Sequence, residues 1–78
     1  MLKKAQNDIS KLDTKIVKNI LKAIKELESF PDVGNIKKLT RHKPAYRKRI
    51  GDYRILFDIE ENTIEVGRVL HRRKAYTQ

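Results

Sequence analysis

The sequence predicts an α+β fold: an N-terminal antiparallel helical hairpin packed on a three-stranded antiparallel β-meander, with residues 1–78 forming one domain. Three observations point there. Apolar residues recur at helical spacing as far as Leu27 and at spacing two from Tyr46 onward. Two tight turn signals, Gly51-Asp52 and Glu60-Glu61-Asn62, cut the second half into three runs. The link between the two helical runs covers only residues 12–14, which favours an antiparallel return.

Leu2, Ala5, Ile9 and Leu12 give the first helix a single apolar face. Asp13 or Thr14 is suited to cap the second, which carries Ile16, Val17, Ile20, Leu21, Ile24 and Leu27 as a wide buried stripe. Lys15, Lys18, Lys22 and Lys25 then form a solvated outer face, and Pro31 with Gly34-Asn35 closes the element. The stretch KKLTRHKPAY reads as a basic connector. In the first strand Tyr46, Lys48 and Ile50 point one way and Arg47 and Arg49 the other. In the second, Tyr53, Ile55, Phe57 and Ile59 are expected beneath the helices, which sends Arg54 to the face of Arg47 and Arg49. In the third, Ile64, Val66, Arg68 and Leu70 alternate with Glu65, Gly67, Val69 and His71, and the tail HRRKAYTQ is polar and basic.

Composition narrows the chemistry. Cysteine is absent and only two histidines are present, so neither a disulfide framework nor a structural zinc site is expected, and no cofactor is implied. No apolar run approaches the ~20 residues of a membrane span, and the N-terminus lacks a signal-peptide apolar region, so a cytoplasmic protein is expected. The net charge of +9 is unevenly spread: residues 37–54 hold eight Lys and Arg against Asp52 alone, and residues 55–67 hold four carboxylates and no cation. Such a footprint suits a polyanion, most often nucleic acid. Charge alone equally fits a basic surface that only aids solubility.

The face bearing Arg47, Arg49 and Arg54, joined by Arg72 and Arg73 after the last strand, suits bidentate binding of phosphate oxygens. Tyr46 and Tyr76 are placed to stack on bases. No Ser-His-Asp set, carboxylate pair or Gly-rich phosphate loop is apparent. RNA brings its own nucleophile, the 2′-OH, so cleavage needs orientation, charge stabilisation and proton transfer, the last a task for His71 or Tyr76. Binding without cleavage stays open at this point.

The runs NIKKL, AYRKRIGDYRILFDI and VLHRRKAY, with KAIKELESFP before them, resemble the RelE/ParE toxin superfamily of bacterial toxin–antitoxin systems. The resemblance covers nearly the whole chain. It implies a compact toxin, and for RelE-like members metal-independent cleavage of mRNA in the ribosomal A site. Carried over, Arg47 and Arg49 match a pair of catalytic lysines and Arg54 the arginine on the scissile phosphate. Arg72 matches a C-terminal general acid, and Tyr76 the tyrosine that orients the base. Lys37, Lys38, Arg41, Lys43, Lys48, His71, Arg73 and Lys74 form the expected RNA-binding surround. Two departures stand out. Arginine replaces lysine at both paired positions and is a poor general base. Family members begin with a short strand, whereas here Met1 falls almost at the first helix. One strand fewer leaves an exposed sheet edge that invites a homodimer or a strand of the cognate antitoxin. The alternatives are a ParE-like DNA gyrase inhibitor and a truncated, inactive toxin that only binds antitoxin or RNA.

Overall fold

The computed structural model describes residues 1–75 and confirms the α+β class. Helix α1 (Lys3–Ser10) is followed by α2 (Thr14–Glu26), which tightens into a 3₁₀ turn at Leu27–Ser29. Asp13 takes the position before α2 in an extended conformation, but its side chain makes no capping hydrogen bond. The helix is held mainly by burial: Ile20, Ala23 and Leu27 are at most 1% exposed, and Ile16 and Ile24 pack beside them. Leu21, expected in the stripe, is instead 48% exposed, because a helix turns about 100° between Ile20 and its neighbour.

Four strands follow, one more than expected: β1 (Ile36–Lys38), β2 (Tyr46–Ile50), β3 (Tyr53–Glu60) and β4 (Thr63–His71), antiparallel in sequence order. The additional β1 comes from the basic connector. Ile36 pairs opposite Lys48 and packs on the core, while Asn35 O accepts Arg49 N–H at 2.9 Å and Leu39 N–H donates to Ala45 O at 2.7 Å. Three residues are too few to show a period, so β1 left no signal in the sequence.

Both turns took the expected places. Gly51, at φ +55°, begins the two-residue link between β2 and β3, where glycine meets no Cβ penalty. Glu61 and Asn62, at φ 47° and 66°, make the next link with both central residues left-handed. Ile55 and Phe57 are fully buried beneath the helices, and Tyr53 and Ile59 are partly so, as the alternation implies.

Strict alternation fails in β4. Leu56 pairs with Arg68 and Phe57 with Val66, so Gly67 is an extra residue in a bulge. Ile64, Val66 and Val69 consequently share the helix-facing core, while Arg68 and Leu70 go to the other face. The basic tail after His71 was assigned no element from the sequence. It forms a single helical turn, α3 (Arg72–Ala75), whose Ala75 covers Leu56 and Leu70 as a small second core.

The outer edge of β4 is partly occupied. Leu2 N–H donates to Val66 O at 2.8 Å, and Asp8 of α1 accepts Val69 N–H at 2.9 Å. One extended residue, Leu2, thus makes a ladder bond to this edge. Among the described residues no helix is long and apolar enough to cross a membrane.

Candidate nucleic-acid interface

Strand register decides which cations meet. Lys37 pairs with Arg47, and Arg49 with Arg54, so all four belong to the sheet face opposite the helices. The tight turn at Gly51-Asp52 brings Arg49 and Arg54 side by side. At the same end of the sheet, Arg72 N–H donates to Asp52 O at 2.7 Å, and Arg72 Nε stands 3.9 Å from Asp52 Oδ1. That backbone bond docks the start of α3 on the turn. Arg49, Arg54 and Arg72 consequently line one cleft of about 470 Å³, which also takes in Lys48 and Glu26.

Arg54 is the most constrained member. It is only 6% exposed, and its Nη1 donates to Gly51 O and Tyr53 O, each at 3.0 Å. Among the described residues no carboxylate lies within 4.0 Å of it. A buried cation without a counter-ion is costly, and two carbonyl dipoles offset only part of that cost. An arriving phosphate would complete the neutralisation through the fork geometry that guanidinium offers. Arg49 and Arg72 are exposed, so this site grades from a buried inner arginine to exposed outer ones.

The remaining expected residues divide. Lys37, Arg73 and Lys74 are exposed, the first on the arginine face and the others on α3. Lys38 pairs with Tyr46 and so belongs to the helix-facing side, and Arg41 is exposed in the β1–β2 connection. Lys43 is drawn away to the acidic pole, 3.5 Å from Asp58 and 4.0 Å from Glu60. Lys48 is not an exposed RNA contact: it is 5% exposed on the helix-facing side, with Nζ donating to Gly34 O at 2.9 Å. β1, which the sequence reading did not include, lies beside Lys48 with Ile36 directly opposite. His71 lies opposite Tyr53 on the helix-facing side, edge-on to its ring at 5.5 Å, with Nδ1 accepting Arg73 N–H at 3.3 Å. Tyr46 does not face solvent as a stacking platform either. It packs on Phe30 at 5.3 Å and Phe57 at 5.5 Å. Tyr76 lies outside the described residues.

Arg68 and Glu26 escaped the sequence reading. The bulge moved Arg68 to the arginine face, where Asp8 holds it through bonds of 2.8 and 3.1 Å. Burial alone would raise the Asp8 carboxyl. The Arg68 hydrogen bonds, Val69 N–H and the charges of Arg68 and Lys11 outweigh that and hold it below its ordinary 3.8. Glu26 reaches the arginine cleft from the end of a helix far away in sequence, and no local pattern signals that. The larger cavity at the other pole, about 830 Å³, is lined by Asp58, Glu60, Glu61 and Glu65, and its charge would repel phosphate.

A small α+β protein with a clustered arginine face at one sheet end is suited to an anionic partner. The family model described as ParE toxin of the type II toxin–antitoxin system parDE matches residues 1–76. Toxin RelE3 of Methanocaldococcus jannaschii is 36% identical over 63 residues, covering 80% of this chain and 72% of that protein. The toxin in the RelB-RelE antitoxin–toxin complex from Methanococcus jannaschii superposes with a TM-score of 0.80 at 32% identity, covering 97% of this chain and 93% of that one. The toxin–antitoxin complex RelBE2 from Mycobacterium tuberculosis gives 0.74 at 28% identity, covering 91% of each chain. The chain belongs to the RelE/ParE superfamily of type II toxin–antitoxin toxins.

Proposed function

We propose that this toxin is an endoribonuclease that cuts mRNA on the ribosome and so blocks translation in the cytoplasm. The observation that carries the reading is the cleft shared by Arg49, Arg54 and Arg72, with buried Arg54 lacking a counter-ion. In this reading Arg54 grips the scissile phosphate. Arg49 and Arg72 close on its equatorial oxygens and stabilise the charge that develops as the 2′-oxygen attacks. Arg47 and Lys37 extend the track along the sheet for neighbouring phosphates, and Tyr76 orients a base. Arginine holds its proton too tightly to act as base, so these residues orient and stabilise. A cognate antitoxin, acidic where it covers the arginine face, restrains the toxin. Both structural relatives are complexes of that kind by their names.

Purified protein added to a translating extract is expected to create new mRNA 5′ ends, detected by primer extension, only when ribosomes are present. The matching ParE family model favours a second reading, inhibition of DNA gyrase. Intact mRNA together with blocked plasmid supercoiling would select it.

A further inference from the structure

The arginine cleft holds a group that arginines cannot replace. Glu26, the last residue of α2, lines it together with Arg49, Arg54 and Arg72. Among the described residues it is the one carboxylate lining this cleft, and it carries no ion pair within 4.0 Å. The charged groups around it are Lys48 and Arg49 from β2, Arg54 from β3, Arg72 from α3, Lys22 one turn back, and Asp52 in the turn. Asp52 is engaged with Arg72 at 3.9 Å, so Glu26 keeps the uncommitted carboxylate. His71, the proton-transfer residue expected at this end of the sheet, faces the helix side against Tyr53.

We infer that Glu26 is the general base of the cleavage, resting on the endoribonuclease reading above. One Glu26 carboxylate oxygen takes the proton of the 2′-OH as the 2′-oxygen forms its bond to phosphorus. The bond from phosphorus to the 5′-oxygen breaks, and that oxygen leaves with a proton from water. The products are a 2′,3′-cyclic phosphate and a 5′-hydroxyl. Glu26 then returns its proton to solvent, so the reaction consumes no oxidant, reductant or other co-reactant. The cations that line the same cleft neutralise the phosphorane it helps to form. Because Glu26 is exposed, its replacement leaves the core untouched.

The test is single-turnover cleavage of mRNA on programmed ribosomes, with binding measured in parallel on a substrate carrying a 2′-deoxy nucleotide at the cut site. Glu26→Gln is expected to bind as tightly as the wild type and to cleave at least a hundredfold more slowly, with Glu26→Asp restoring part of the rate. A substrate with sulfur replacing the 5′-leaving oxygen is expected not to rescue Glu26→Gln, since a better leaving group does not replace a base. Wild-type-like cleavage by Glu26→Gln, or full rescue by the sulfur substrate, would overturn the assignment. Absence of cleavage by the wild type itself would instead remove the endoribonuclease reading on which it rests.

Discussion

Asp8 of α1 and Arg68 of β4, sixty residues apart, are joined side-on: Arg68 Nε donates to Asp8 Oδ2 at 2.8 Å and Nη2 to Oδ1 at 3.1 Å. The same carboxylate accepts Val69 N–H at 2.9 Å, so one side chain ties the first helix to the edge of the last strand. This chain thus fixes its first helix with a charged clamp.

That clamp makes stability depend on pH. The Asp8 carboxyl is depressed in the folded state, so its contribution is fully present above the ordinary value of 3.8 and is lost as pH falls through the lower folded value. Asp8→Ala is expected to cost about 1–3 kcal/mol at neutral pH, since it also leaves Arg68 and Val69 N–H without their partner. Thermal melts from pH 7 down to pH 2 check this. The gap between wild type and variant should close at the acid end, and a gap independent of pH would contradict the clamp.

A side chain at the Gly67 bulge is expected to crowd the ring of Pro44. A Cβ there would lie 3.0 Å from Pro44 Cγ and 3.8 Å from Leu2 Cδ1. Gly67→Ala should destabilise by about 1–3 kcal/mol through overpacking. Denaturant unfolding measures it, and a variant as stable as the wild type would mean the bulge can slide.

The scissile phosphate in the arginine cleft and two neighbours met by Arg47 and Lys37 imply a defined salt response. For single-stranded RNA the slope of log affinity against log salt should be about −2, at roughly 0.7 per contact. Lys37→Ala, a change at an exposed side chain, should reduce the slope by about 0.7 while the protein stays folded. An unchanged slope would place the RNA elsewhere.

Much of this architecture was readable because periodicity reports burial. The helices, both turns and the burial of Tyr53, Ile55, Phe57 and Ile59 follow from spacing alone. The pairing of Arg49 with Arg54 follows from a two-residue turn. What spacing cannot carry was missed. β1 is too short to have a period, and the Gly67 bulge reverses the faces of β4 with a single residue. Lys48 was read as exposed because the strand beside it was not foreseen. The cleft carboxylate of Glu26 comes from tertiary packing, and segment-by-segment charge counting separates it from the arginines it meets.

The central claim is that Arg54, fixed by the Gly51 and Tyr53 carbonyls, holds an mRNA phosphate for cutting on the ribosome. The most direct measurement maps 5′ ends on an abundant translated mRNA after induction of the wild type and of Arg54→Ala in cells, with soluble protein levels matched. Growth arrest and discrete new ends within the reading frame are expected for the wild type, and neither for Arg54→Ala. Growth arrest with intact mRNA, or identical ends from both proteins, would contradict it.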